Sequence, residues 1–294
     1  MWSSHAWKSI STPFSFDPPD STMTAHPCKA LSPQHGHGII AALHLPDLGV
    51  ARQTSMAFLE DYVLANAGVF AGAGVPSLML QDQTRQAGPA TPATVAVMAS
   101  LGRLLRKEFP AMELGIIIQA HDAVAPIAIA NACGASFVRL KVYVGVAMTM
   151  EGVKSGLAVE ARTYRHDLRR DDIAIMADVF DRTSVPMMAV PPEEAAQVAV
   201  RLGADGLILT GASFADSLER VRKAKGVGVT RPIFVGGSVT EHNVRETLAH
   251  ADGAIVSTSL MCDHPGEGDL LRWDHGKTQR FMDAVRALPE RSSR

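Results

Sequence analysis

The sequence predicts a single (β/α)8 barrel, and three observations carry the prediction. From Ile39 onward, short apolar runs alternate eight times with longer helical stretches, the rhythm of βα units wound around a parallel sheet. The chain has 294 residues and such a barrel takes about 250, which leaves one domain over 38–294 and a tail over 1–37. Aromatic residues make up only 5% of a chain that is 47% hydrophobic, so the core is built from small aliphatic side chains, as buried parallel strands and closely packed helices require.

The elements follow in order. Ile39–Leu45 is the first strand, ending in His44-Leu45-Pro46, and Thr54 is placed to cap a helix through Gly72. Leu78–Leu80 is the second strand, with Gln81 and Asp82 at its carboxyl end. Thr91 and Pro92 open the next helix, through Glu108, since proline at the first helical position gives up an N–H that has no partner there anyway. Leu114–Ile118 leads to Gln119-Ala120-His121-Asp122 and a helix over Ala123–Ala132. Phe137–Val142 is the fourth strand and carries Arg139 and Lys141. A Gly/Met-rich loop, Tyr143–Gly156, and a helix over Leu157–Arg169 come after it. Ile173–Val179 ends near Asp178, and Pro192–Leu202 is helical. Gly206–Leu209 runs into Thr210-Gly211, before a helix at Phe214–Lys225. The last two strands are Ile233–Val235 and Ala254–Val256, with a helical stretch between them and a closing helix at Lys277–Leu288. A doubly wound open sheet is the rival architecture, but it rarely needs eight regular units.

Several classes fall away. A net charge of −2 gives no nucleic-acid surface, and no apolar stretch reaches the length of about 18 residues that a transmembrane helix needs. The tail over 1–37 is rich in Ser, Pro and His without any period and is expected to be disordered, with Met23 a second plausible start. Cys28, Cys133 and Cys262 lack metal or redox spacing, which suits a reducing cytoplasm. Neither GxGxxG nor GxxxxGK[ST] follows the first strand, so no nucleotide cofactor is expected.

The site is expected at the carboxyl ends of the strands, where barrel side chains converge. Gly236-Gly237-Ser238 follows the seventh strand and Ser257-Thr258-Ser259 the eighth. Glycines admit backbone N–H groups to an anion and hydroxyls donate hydrogen bonds, so these segments, with Thr210 and Gly211, form a candidate phosphate cup; two ordinary tight turns are the competing reading. Asp178 is the candidate general base, or else one half of an ion pair with Arg139 or Lys141. Arg139 and Lys141 share a strand face by the two-residue period and would stabilise developing negative charge. His44 is the candidate auxiliary acid. His121-Asp122 is a weaker acid–base pair, Asp181 a further mouth residue, and Asp82, Asp122 and Asp178 a loose oxygen set for a divalent metal; no metal is expected. Met148 and Met150 mark a candidate lid.

Taken together, the HLP after the first strand, FVRLKV, GVAMTMEGVKSG, ADV, LTG, VGGSVTEHNV and ADGAIVSTSL resemble the BtpA/SgcQ family of photosystem I biogenesis and sugar-metabolism-related proteins. The resemblance runs in consistent order over Ile39–Leu288 and implies a barrel of the ribulose-phosphate-binding type. The departures are concentrated at the centre. Gln81-Asp82 stands where the family has Glu-Asn, Ala120-His121-Asp122 where it has Arg-Asn-Asp, and Lys141 where it has Asn. Asp178-Val179-Phe180-Asp181-Arg182-Thr183 replaces Asp-Val-His-Val-Lys-His, and Ser257-Thr258-Ser259-Leu260-Met261 replaces Gly-Thr-Ser-Leu-Lys. The cup is kept and the polar centre rewritten, as in a divergent member. The expectation is a cytoplasmic protein, open to homo-oligomerisation, that binds a phosphorylated small molecule. Its activity would be that of a phosphosugar isomerase, epimerase or lyase; the alternative is a non-catalytic assembly or regulatory factor.

Overall fold

The computed structural model describes residues 28–31, 37–48, 54–180, 183–266 and 268–289. In chain order the strands are β1 (Gly38–His44), β2 (Ser77–Gln81), β3 (Glu113–Ile117), β4 (Phe137–Leu140), β5 (Val146–Thr149), β6 (Gly152–Ser155), β7 (Ala174–Asp178), β8 (Val185–Pro186), β9 (Gly206–Leu209), β10 (Ile233–Gly236) and β11 (Gly253–Val256). The helices are α1 (Met56–Gly72), α2 (Pro92–Glu108), α3 (Ala125–Cys133), α4 (Ala158–Asp167), α5 (Pro192–Arg201), α6 (Phe214–Gly226), α7 (Val244–His250) and α8 (His275–Arg286). Eight parallel strands close into a barrel in the order β1–β11–β10–β9–β7–β4–β3–β2. Sequential order around the ring is what short, right-handed βα connections produce.

The two-residue period of each strand sorts its side chains. Ile39, Ala41 and Leu43 of β1 join the large cluster between strands and helices, while Ile40 and Ala42 point into the barrel with Met79, Ile117, Met176, Ile208 and Ile255. The lower interior is filled by Phe137 and Phe234, and glycines on neighbouring strands make room for them. A Cβ on Gly115 would lie 2.1 Å from the Phe137 ring, and one on Gly253 2.3 Å from the Phe234 ring. Any larger residue at either position would displace an aromatic ring from a close-packed core.

Local signals explain the helix starts. The Thr91 hydroxyl accepts from Thr94 N–H at 3.1 Å, with Pro92 next in line. At α1 the cap is Ser55 rather than Thr54: its hydroxyl accepts from Phe58 N–H at 3.1 Å. Either hydroxyl suits the chemistry, and the helix register selects the later one. Cys133 ends α3 fully buried, and burial pushes its thiol up to about 11, so it packs as a small apolar side chain.

Two elements depart from the sequence expectation. Cys28–Leu31, read above as part of a disordered tail, enters the barrel from below: Lys29–Leu31 forms one 3-10 turn, and Cys28, Ala30 and Leu31 are buried against the interior cluster. The rest of the tail lies outside the described residues apart from His37. The Gly/Met-rich loop is an antiparallel hairpin, β5 with β6, to which β8 adds a third strand. The hairpin is tied to the barrel through His121, whose Nε2–H donates to the Ser155 carbonyl at 2.7 Å, and through Arg85 and Glu151 at 3.3 Å. Met148, Met150, Val185, Met187 and Met188 are exposed around it.

Candidate functional site

The open end of the barrel holds a cavity of about 860 Å³. One side is formed by the chain after β10 and after β11. Gly237 has φ +116° and Ser238 φ +59°, so the chain reverses sharply through two consecutive left-handed residues, a turn only a glycine-led sequence makes cheaply. Asn243 locks it, donating from Nδ2 to the Ser238 carbonyl at 2.9 Å and accepting from Thr240 N–H at 2.8 Å. The second segment, Ser257 followed by the 3-10 turn Thr258–Leu260, faces the same cavity. The Ser259 hydroxyl donates to the Val239 carbonyl at 2.8 Å and joins the two segments.

Several hydroxyls expected to hold a ligand brace the cup instead. Thr210 Oγ1 donates to the Gly236 carbonyl at 2.9 Å, and Ser257 Oγ donates to the Ala42 carbonyl at 2.8 Å. Gly237, Ser238 and the exposed Thr258 also line the cavity. Gly211 is corrected: it does not line the cavity, and its N–H is spent on Ser217 Oγ at 2.9 Å.

The centre is built from inward-facing residues of β4 and β7. Arg139 grips Asp178 with both edges of its fork, Nε to Oδ2 at 2.9 Å and Nη2 to Oδ1 at 3.0 Å. Asp178 is 1% exposed. A carboxylate held in a bidentate ion pair is a poor proton acceptor, so the general-base expectation for Asp178 is corrected to the ion-pair reading. Lys141 Nζ donates to Gln119 Oε1 at 2.8 Å and lines the cavity with Arg139. His44, at the end of β1, is pushed down to about 4, first by burial and then by the charges of Arg139 and Arg272. It therefore enters the cavity as neutral imidazole at neutral pH, not as the imidazolium an auxiliary acid would supply.

Sequence reasoning missed Arg272 and Trp273, which lie beside His44. Trp273 is fully buried, edge-on to His44 with ring centroids 6.0 Å apart, and stacks edgewise on Tyr62 and Phe70 as well. Buried Asn66 of α1 fixes this segment: its Oδ1 accepts from Arg272 N–H at 2.9 Å and Trp273 N–H at 3.3 Å, and its Nδ2 donates to the Leu270 carbonyl at 2.8 Å. One sequence signal was available. Trp273 is the only tryptophan beyond residue 7, and it neighbours a cation.

The remaining candidates separate from the cavity. Asp122 caps α3, with Oδ1 accepting from Val124 and Ala125 N–H, each at 2.8 Å. His121 turns away to Ser155. Asp82 is fully buried and accepts from Thr84 N–H at 2.9 Å; burial raises its pKa. Among the described residues no three metal-ligating side chains cluster, so the Asp82, Asp122 and Asp178 set is not assembled. Asp181 lies outside the described residues.

Eight parallel strands closed around a cavity at their carboxyl ends define the (β/α)8-barrel class. Comparison with known proteins gives the family: the BtpA family profile matches residues 35–287, and the chain belongs to the BtpA family. Photosystem I biogenesis protein BtpA of Synechocystis is 31% identical over 198 residues, covering 66% of this chain and 64% of that protein. An uncharacterised Pyrococcus furiosus protein is 35% identical over 54% of this chain and 60% of its own length. These matches thus span less than two thirds of those two relatives. An uncharacterised mitochondrial protein of Caenorhabditis elegans is 29% identical, over 85% of this chain and 93% of that protein. Among solved structures, a Mycobacterium tuberculosis tryptophan synthase superposes with TM-score 0.55 at 12% identity, covering 88% of this chain and 96% of that one. A 3-hexulose-6-phosphate synthase superposes with TM-score 0.51 at 14% identity, covering 84% and 98%. These likenesses establish the barrel fold. No described helix is long and apolar enough to cross a membrane.

Proposed function

We propose that this BtpA-family barrel binds a phosphorylated small molecule, with the phosphate received by the Gly236–Ser238 turn and by Thr258. One observation carries the reading: the chain segments after β10 and β11 line one cavity and are joined by the Ser259–Val239 hydrogen bond. The left-handed turn at Gly237 and Ser238 exposes backbone of the kind that makes anion-binding concavities. A 3-hexulose-6-phosphate synthase is among the proteins that share the fold, and its name puts a sugar phosphate in a barrel of this architecture.

If the protein turns its ligand over, the chemistry is proton transfer of the isomerase, epimerase or lyase kind. Arg139 and Lys141 stabilise negative charge developing on the substrate, and neutral His44 offers it a hydrogen bond from its ring N–H. A second reading, a non-catalytic assembly factor, is favoured by the locking of Asp178 in its ion pair and by the name of the Synechocystis relative.

Thermal unfolding in the presence of glycerol 3-phosphate tests the binding reading. A rise in midpoint that is lost in Gly237→Asp and in Thr258→Glu supports it; Thr258 is exposed, so its variant leaves the core intact. No rise with any phosphate ester sinks it. Exchange of solvent deuterium into a bound phosphosugar separates the catalytic reading from the assembly reading.

A further inference from the structure

The cavity is more cationic than one phosphate requires. Arg85, Arg139, Lys141 and Arg272 line it, against a single lining carboxylate among the described residues, Asp47. Arg139 pairs with Asp178 and Arg85 with Glu151 at the rim. Lys141 rests on the Gln119 amide oxygen. Arg272 differs from all three. Its Nε is buried without a hydrogen-bond partner, and among the described residues no carboxylate forms a salt bridge with its guanidinium. Burying part of a guanidinium without an acceptor is costly, and fixing its backbone on Asn66 holds that unsatisfied charge at the wall of the cavity. Neutral His44 sits within electrostatic reach of both Arg139 and Arg272, so the β1 side of the mouth holds two guanidinium charges against the single lining carboxylate of Asp47 among the described residues. The space is ample: about 860 Å³ lies toward the upper end of the usual range for small-molecule sites.

We propose that the ligand of this barrel carries a second anionic group besides its phosphate, a carboxylate or a second phosphate, and that Arg272 receives it. The inference rests on the phosphate reading above and specifies the ligand class of the same site. A planar guanidinium donates paired, charge-assisted hydrogen bonds to either group. The ligand thus spans the mouth, its phosphate at the β10–β11 side and its second anion beside His44 and Trp273.

Isothermal titration with three probes tests this: glycerol 3-phosphate, with one anionic group; 3-phosphoglycerate, which adds a carboxylate; and fructose 1,6-bisphosphate, which adds a second phosphate. The wild-type protein is expected to bind one of the two-anion probes at least about 10-fold more tightly than glycerol 3-phosphate, the scale of one charge-assisted contact. Which one it prefers distinguishes carboxylate from phosphate. Arg272→Gln is expected to erase that preference and leave glycerol 3-phosphate affinity within about 2-fold, with an unchanged melting temperature as the control for folding. Arg272→Lys, which keeps the charge without the fork, is expected to retain only part of the preference. Equal affinity for all three probes in the wild type overturns the proposal. So does an equal loss for all three in Arg272→Gln, which would assign the guanidinium to the first phosphate. Binding of no probe at all overturns the phosphate reading itself, a result distinct from either.

Discussion

Arg139 and Asp178 face one another across neighbouring strands with two parallel hydrogen bonds, 2.9 and 3.0 Å long, in the middle of the barrel. Removing one member of such a pair strands the other charge, at a cost of about 3–5 kcal/mol, while replacing both with apolar residues of similar volume is often near neutral. Asp178→Leu and Arg139→Met are each expected to destabilise strongly, and the double variant to be more stable than either. Urea denaturation of the four proteins closes the cycle; additive losses would mean that the pair is not coupled.

The 3-10 turn below the barrel predicts a role for residues that look dispensable. Leu31 is 4% exposed, and its Cδ2 lies where a Cβ on Gly206 would touch it, at 2.9 Å. Leu31→Ala is expected to cost about 2–5 kcal/mol, as for other buried leucines. A chain starting at Gly38 is expected to be less stable still. Unchanged denaturation midpoints for both would show that the turn detaches in solution.

His44 predicts how stability depends on pH. Its pKa is lowered from 6.5 to about 4 in the folded protein. Between those values the unfolded chain binds a proton that the folded chain refuses, so its contribution is fully present above pH 6.5 and is lost as pH falls toward 4. Denaturation at pH 7.5, 5.5 and 4.5 should give a decline that is shallower in His44→Phe than in the wild type. Parallel slopes would assign the acid sensitivity elsewhere.

Asn66 predicts a link between α1 and the mouth. Asn66→Ala leaves the N–H groups of Arg272 and Trp273 and the Leu270 carbonyl without their partner. The buried Trp273 N–H alone costs about 1–3 kcal/mol when left unpaired, and the two part-buried groups cost less. The variant is expected to unfold at a lower temperature. Amide exchange over residues 270–273 should also be faster than in the wild type, relative to the barrel strands, and equal rates would refute the link.

The sequence exposed the parts that repeat and hid the parts that occur once. Strand positions were legible because each strand has one apolar face toward the helices and another toward the interior, and the start of α2 was legible because Thr91-Pro92 satisfies its first turn locally. The Arg139–Asp178 pair was one of the open readings, since two charges on buried strands of one barrel need each other. Nothing in Cys28–Leu31 signals its burial, because three residues make their contacts without any period. The bracing hydroxyls of Thr210 and Ser257 were read as ligand contacts: composition tells that a hydroxyl is present, while only the neighbouring strand decides which carbonyl it meets. Arg272 looks like any surface cation in a polar loop. What sets it apart is that no carboxylate among the described residues forms a salt bridge with it, and an absence of neighbours is a property of three dimensions.

The turn at Lys29–Leu31 has one more consequence. Among the described residues, Leu31, Phe137 and Phe234 fill the lower end of the barrel, and the cavity lies at the opposite end. A ligand of the proposed kind would enter and leave by the same passage, past Arg85, Thr183 and the loops after β10 and β11, so one occupant would have to depart before the next could bind.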